Sequence, residues 1–324
     1  MTTSDATAKS PATLRDYVAL ARLDHWVKHV FIVPGIVLAE LIRGLPIRGD
    51  WPVTLLIGFV SAVAVASANY VINEWLDARS DAHHPTKKNR PAVQKRLSAT
   101  VVWAEYGLLL VSGLALASLL SPLYLAMSAA FAVSGLVYNV PPLRFKERAF
   151  LDVLVESVNN PIRLTLGWAL VDPETLPPSS LVLCYWMGGA FLMTVKRLAE
   201  MRFVTARDGR EGLSLYRSSF RTYTEGSLIV CSLVYALTSV FLLAVFLVKY
   251  RIEYLLSFPF IIALFSYYLA LGLREGSVAQ TPELLFRDRG LLVVLALVVV
   301  SLVAFTLVDV PILDRLAEPH LIPI

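Results

Sequence analysis

Cysteine is almost missing from this chain, with only Cys184 and Cys231 among 324 residues. Both fall inside apolar runs and neither has zinc or redox spacing. That excludes a disulfide framework or a thiolate metal site and leaves the two as small apolar fillers. Charge is scarce as well: Asp, Glu, Lys and Arg make up 17% of the residues, where about 25% is usual for soluble domains. The net charge of +4 is mild and its basic residues sit in particular loops, so nucleic acid is not an expected partner. Residues 1–12 are polar and lack an apolar stretch. They read as part of a disordered tail, residues 1–13, and not as a cleavable signal peptide.

What the chain does have is apolar sequence. Hydrophobic residues make up 56% and the mean hydropathy is +0.64. Runs near the ~20 residues needed to cross a bilayer recur at 27–43, 53–75, 99–119, 122–139, 150–171, 178–198, 226–248, 254–272 and 290–309. The expectation is an all-α membrane protein of about nine transmembrane helices, forming one domain over residues 14–324. The first run is the weakest, because Lys28 and His29 open it and Pro34 and Gly35 interrupt it.

Loop charge orients these spans, since Lys and Arg favour cytoplasmic loops. The connections after the second, fourth, sixth and eighth runs carry most of the Lys and Arg, whereas residues 172–178 carry only acids. The N-terminus and the charged loops are therefore expected inside, most simply in a bacterial plasma membrane, with the C-terminus outside.

Those same loops hold the chemistry. Asn73, Asp77 and Asp81 stand four residues apart after an apolar run, which places three oxygen-bearing side chains on one helix face. Carboxylates at the end of a span are costly without a cation, and magnesium shared with a substrate's phosphates suits them. Lys87, Lys88 and Arg90 follow at once, as phosphate ligands or as charges touching anionic lipid. A second group begins at Tyr138 and Arg144, continues through Lys146, and reaches Asp152, Glu156, Asn160 and Arg163. Asp152 and Glu156 repeat the one-turn spacing and suggest a second magnesium. Glu156 has an alternative as a partner of Arg163, and Asn159-Asn160-Pro161 either kinks its span or touches substrate. Lys196, Arg197 and Glu200 read as a substrate-binding group or as an ion-paired, snorkelling helix end. The Arg-rich loop from 202 to 221 is either an amphipathic surface segment or a cap.

Together these residues resemble the UbiA superfamily of intramembrane prenyltransferases. Its first motif, Asn-Asp-x-x-Asp-x-x-x-Asp, is matched by Asn73, Asp77 and Asp81, with Glu74 in the second place. Its second, Asp-x-x-x-Asp, is matched by Asp152 with Glu156 in the last place. The resemblance implies helices around a central cavity, with Mg2+ held by Asn73, Asp77, Asp81, Asp152 and Glu156. It also implies catalytic roles for Asp77, Asp81, Asp152 and Lys146. Within the superfamily the chain is most similar to the decaprenyl-phosphate phosphoribosyltransferases. That similarity rests on Trp26-Val27-Lys28, His84-Pro85-Thr86-Lys87-Lys88-Asn89-Arg90-Pro91, Lys196-Arg197-Leu198-Ala199-Glu200 and Leu285-Phe286-Arg287-Asp288-Arg289. Arg163 is kept with different neighbours.

Two reactions fit this residue set. In one, phosphoribosyl pyrophosphate is the donor and a polyprenyl (decaprenyl) phosphate the acceptor. In the other, a prenyl diphosphate is the donor to an aromatic or other small acceptor. Both lose pyrophosphate from a carbon able to bear positive charge. The sugar donor has an extra 5-phosphate, for which Lys87, Lys88 and Arg90, with Lys28, Lys196 or Arg197, are candidate ligands. An ion-coupled transporter is disfavoured, because its acids should lie near span midpoints, whereas these lie at span ends.

Overall fold

Helix is the form in which an apolar, lipid-spanning segment satisfies its own backbone N–H and C=O groups, and the apolar runs fold accordingly. The computed structural model describes residues 9–45, 49–82, 87–274, 276, 277, 279, 285 and 287–313. In chain order the main helices are α1 (Leu14–Leu20), α2 (Val33–Arg43), α3 (Trp51–Asp81), α4 (Ala99–Ser118), α5 (Pro122–Asn139), α6 (Leu151–Ser157) and α7 (Asn159–Val171). They are followed by α8 (Ser179–Gly209), α9 (Glu225–Tyr250), α10 (Phe258–Gly272) and α11 (Arg289–Leu307). Among the described residues no strand forms beyond one isolated bridge, Pro11 to Arg96. Residues 1–8 of the expected tail, the stretch His83-His84-Pro85-Thr86 and Phe286 lie outside the described residues. The rest of that tail is described: Arg96 N–H donates to the Ser10 carbonyl (2.9 Å) and Ala12 N–H to the Arg96 carbonyl (3.3 Å).

Among the described residues, seven helices are long and apolar enough to cross a membrane, or eight if the bent pair Leu14–Trp26 and Lys28–Arg43 counts as one span. The expected span at 150–171 is instead interrupted at Val158, between α6 and α7. Pro161 accounts for the break, because its ring clashes with the carbonyl four residues back. That carbonyl belongs to Ser157, where α6 ends.

The chain divides into two compact units. The first comprises residues 1–176 and 208–222 and contains α1 to α7. Its core joins α3, α4, α5 and α7 through Val65, Ala66, Ala117, Phe131, Ile162 and Leu166. Polar side chains tie the same helices across the apolar interior, as expected where neighbouring helices replace water. Ser61 donates to the Gly113 carbonyl (2.8 Å), Tyr124 to Gly58 (2.6 Å) and Asn69 to Phe131 (2.9 Å). Helices α2 and α7 touch backbone to backbone. A Cβ on Gly35 would lie 2.0 Å from the Leu164 carbonyl oxygen, and one on Gly167 would lie 2.0 Å from that of Ile32. Glycine is required at that crossing.

The second unit comprises residues 177–207 and 223–324. Phe191, Val195 and Ala199 of α8 pack with Tyr268 of α10. Cys184 and Cys231 are free thiols, and Ser239 donates to the Cys184 carbonyl (3.0 Å). Asp288 caps α11, accepting from the Leu291 N–H (2.8 Å).

Candidate functional site

Within the first unit, the C-terminal end of α3, the C-terminal end of α5 and the start of α6 meet. The turn linking α5 to α6 is strained. Arg144 (φ +36°) and Phe150 (φ +68°) both take left-handed backbone conformations, which cost a non-glycine residue and cluster at functional sites. Arg144 is held there by three contacts: its Nη1 donates to the Asn139 carbonyl (3.2 Å), its Nε to Glu147 (2.5 Å) and its Nη2 to Asp77 (3.3 Å). Lys146, only two residues on, is 6% exposed. Its ammonium lies 2.5 Å from Asp77 and donates to Asn139 Oδ1 (3.0 Å). Burial pushes that ammonium down to about 8, and Arg144 and Arg217 add to the depression against the pull of Asp77.

The first acidic motif is thus tied cation by cation to the loops around it. Asp77 meets Lys146 and Arg144, while Asp81 meets Arg90 at 2.6 Å and Lys87 at 3.7 Å. Asn73 donates its amide to Asn139 Oδ1, the same atom that Lys146 uses. Glu74, which stands where the resemblance expects Asp, is buried and lies 3.9 Å from Arg90.

The second acidic pair is engaged differently. Asp152 is completely buried, with Arg217 Nε at 3.5 Å and the Ser219 hydroxyl donating at 3.2 Å. Glu156 accepts from the Tyr138 hydroxyl (2.8 Å), and that hydroxyl in turn accepts from Arg217 Nη2 (2.7 Å).

Ten of the residues expected from sequence are therefore joined here: Asn73, Asp77, Asp81, Lys87, Arg90, Tyr138, Arg144, Lys146, Asp152 and Glu156. The other expected residues make different contacts. Lys88 is exposed, and its carbonyl accepts from Gln94 (2.7 Å). Lys28 donates to His25 Nδ1 (2.8 Å) and stands 5.6 Å from the centre of the Tyr70 ring. Arg163 is buried over the Phe131 ring at 4.8 Å, and both Lys28 and Arg163 lie within electrostatic reach of buried His29. Asn160 is half-buried on the first turn of α7. Lys196 and Arg197 belong to α8 in the second unit, where buried Arg197 donates to Glu200 (2.9 Å).

Sequence reasoning missed Asn139, Arg217 and Ser219. Asn139 carried a usable signal as an amide at the end of an apolar run. Arg217 carried none, standing among several arginines without a distinguishing spacing.

The donor set suits a hard cation. Among the described residues no three acidic, His or Cys side chains are grouped closely enough to hold a metal ion by themselves. That is compatible with Mg2+, which typically takes one or two carboxylates and completes its shell with water and substrate phosphates.

The family model described as the UbiA prenyltransferase family matches residues 32–287. A decaprenyl-phosphate phosphoribosyltransferase from Mycobacterium tuberculosis is 30% identical over 237 residues, covering 68% of this chain and 70% of the relative. One from Mycolicibacterium smegmatis is 26% identical over 221 residues, covering 66% and 68%. Among solved structures, a UbiA homolog from Archaeoglobus fulgidus bound to DMAPP and Mg2+ superimposes with a TM-score of 0.65 at 19% identity. That match covers 91% of this chain and all of the other.

Proposed function

Since the chain belongs to the UbiA prenyltransferase family and is an integral-membrane transferase, we propose that its reaction is phosphoribosyl transfer from phosphoribosyl pyrophosphate to a polyprenyl phosphate such as decaprenyl phosphate. The observation that carries this reading is the gathering of Lys87, Arg90, Arg144, Lys146 and Arg217 around the two acidic motifs. A donor with three phosphate groups needs more cations than an allylic diphosphate does. The mycobacterial relatives carry the same activity in their names.

In this reading Asn73, Asp77 and Asp81 would hold Mg2+, which when bound neutralises pyrophosphate and makes it a better leaving group. The C1–O bond of the ribose breaks, and an oxygen of the lipid phosphate forms the new bond to C1. Lys146 and Arg144, paired to Asp77 in the free protein, turn to the pyrophosphate as its charge develops. Lys87 and Arg90 would bind the 5-phosphate, with Lys28 as a further candidate ligand. The apolar helix surfaces receive the polyprenyl tail. The site faces the cytoplasm, with the N-terminus inside the plasma membrane of a bacterium.

A second reading is prenyl transfer from a prenyl diphosphate to a small acceptor, favoured by the archaeal homolog's bound DMAPP and Mg2+. Purified protein given Mg2+, polyprenyl phosphate and labelled phosphoribosyl pyrophosphate separates the two. Label in the lipid fraction is expected. No label there, with consumption of a prenyl diphosphate in a parallel assay, would establish the second reading instead.

A further inference from the structure

Cations gather at both ends of the first acidic motif, not only at its aqueous end. Ahead of α2 the chain forms a 3-10 helix, Leu23–Ile32, entered through Arg22 in a left-handed conformation (φ +48°). Such a conformation is costly for arginine and is the kind of strain that clusters at functional sites. Side chains three apart eclipse in a 3-10 helix, so His25 and Lys28 form one row, which Arg22 extends. The row turns inward: His25 is buried, whereas Leu23, Trp26 and Val30 are exposed. Lys28 donates to His25 Nδ1 (2.8 Å), and Arg22 Nη2 meets His25 Nε2. A neutral imidazole has a single acceptor nitrogen, so it satisfies one of these two cations and not both. The carboxylates that act on Arg22, Glu74 and Asp24, do so through space, and Arg90 opposes them. An element with an apolar outer surface thus presents basic side chains to the interior.

The row stands against α3, one turn inward of the metal motif. His25 packs edge-on to the Tyr70 ring, 5.2 Å between centres, and the Lys28 ammonium lies 5.6 Å from the centre of the same ring. Tyr70, Asn73 and Asp77 follow one another along one face of α3. Tyr70 is therefore about 4.5 Å further into the span than Asn73. Lys87 and Arg90 pair with Asp81 at the opposite end of the motif, about 16 Å from Tyr70 along the helix axis.

We propose that Arg22 and Lys28, spaced by His25, bind the phosphate of the lipid acceptor, which gives Lys28 to the acceptor and leaves Lys87 and Arg90 to the donor. This inference rests on the phosphoribosyl reading above. The physical case is one of access and charge. A water-soluble donor reaches the motif from its aqueous end. A lipid phosphate is carried on a tail that stays in hydrocarbon, so it arrives from the membrane side. There a dianion needs cations already in place, because burying it unpaired is costly. Two cations also favour the dianionic phosphate over the monoanionic one. Its attacking oxygen then carries no proton. The new bond to C1 forms as the C1–O bond to pyrophosphate breaks, pyrophosphate takes that electron pair, and no proton has to be moved.

Farnesyl phosphate tests the assignment, with farnesol and inorganic phosphate as its separate halves. The full chain in nanodiscs of neutral lipid is titrated with each in EDTA, so that the metal site takes no part. Wild type is expected to bind farnesyl phosphate on the order of tenfold more tightly than either half, the scale of a charge-assisted contact. Arg22→Gln and Lys28→Gln should each remove most of that advantage and leave farnesol binding unchanged. Lys87→Gln should leave farnesyl phosphate affinity within about twofold, as expected of a side chain outside the contact. In turnover with Mg2+, Lys28→Gln should raise KM for the polyprenyl phosphate and spare KM for phosphoribosyl pyrophosphate, with Lys87→Gln doing the reverse. A thermal midpoint close to wild type qualifies each variant, and Lys28→Gln carries the comparison if Arg22→Gln does not fold. Loss of farnesyl phosphate binding in Lys87→Gln but not in Lys28→Gln overturns the assignment and leaves the phosphoribosyl reading intact. Inorganic phosphate bound as tightly as farnesyl phosphate does the same. If wild type binds farnesyl phosphate no better than farnesol the assignment also falls, and label transfer to the lipid fraction decides whether the reading falls with it.

Discussion

Asp77 is the residue on which the proposed chemistry converges, because it is the more open acid of the first motif and meets both Lys146 and Arg144. Asp77→Asn should lower turnover ~100-fold or more, exceeding the 10–100-fold cost of losing a residue that only supports a metal ligand. Label transfer at saturating Mg2+ measures it, and wild-type activity in the variant would take the metal away from α3. Lys146 makes a different prediction, for the metal-free protein. Its folded proton affinity lies near 8, against 10.5 for an ordinary lysine. Below about 8 the ammonium is charged in both states. Between those two values the unfolded chain binds more protons than the folded one, so stability attributable to Lys146 rises with pH across that window. Thermal unfolding in detergent without divalent ions should show this rise in wild type and lack it in Lys146→Met. Equal pH profiles for the two proteins would contradict it.

At the scale of elements, the α2–α7 crossing is the sharpest constraint. Gly35 and Gly167 face each other's helix backbones with no room for a methyl group, so close approach replaces the hydrophobic drive that lipid removes. Gly167→Ala should push the helices apart and destabilise the protein by about 1–3 kcal/mol, the usual cost of overpacking. The thermal midpoint should fall while Mn2+ binding at α3 is retained. An unchanged midpoint would mean that the crossing relaxes freely. The break between α6 and α7 belongs to the same scale. Pro161 ends α6 just after Glu156, setting the carboxyl pair on a separate short helix. The proline was visible in sequence, but its effect on the count of unbroken spans was not.

For the whole molecule the testable property is orientation. The acid–base site gathers at one end of the first unit, and Arg43 pairs with Asp172 (2.6 Å) where α2 and α7 end. Having only two native cysteines makes labelling direct. In a chain with Cys184→Ala and Cys231→Ala, Arg96→Cys should react with an impermeant thiol reagent only from the cytoplasmic face. Glu174→Cys, also exposed, should react only from the other. Reaction of both from one face would overturn the topology drawn from loop charge.

Composition and periodicity by themselves determined the membrane class, the all-helical fold and the motif around Asn73, Asp77 and Asp81. Those properties are local: a run of apolar residues must span as helix, and a four-residue spacing on a helix fixes a shared face. Loop charge likewise marked which segments carry Lys146, Arg144 and Arg90. Tertiary structure alone decided which cation meets which acid. Asp77 takes Lys146 from a turn 69 positions on, and Asp152 takes Arg217 from 65 positions on, pairings that no spacing encodes. It also separated two acidic pairs that look alike in sequence, leaving Asp77 partly open and burying Asp152 completely. Burial depends on what the rest of the chain packs over a side chain, and distant segments supply that packing.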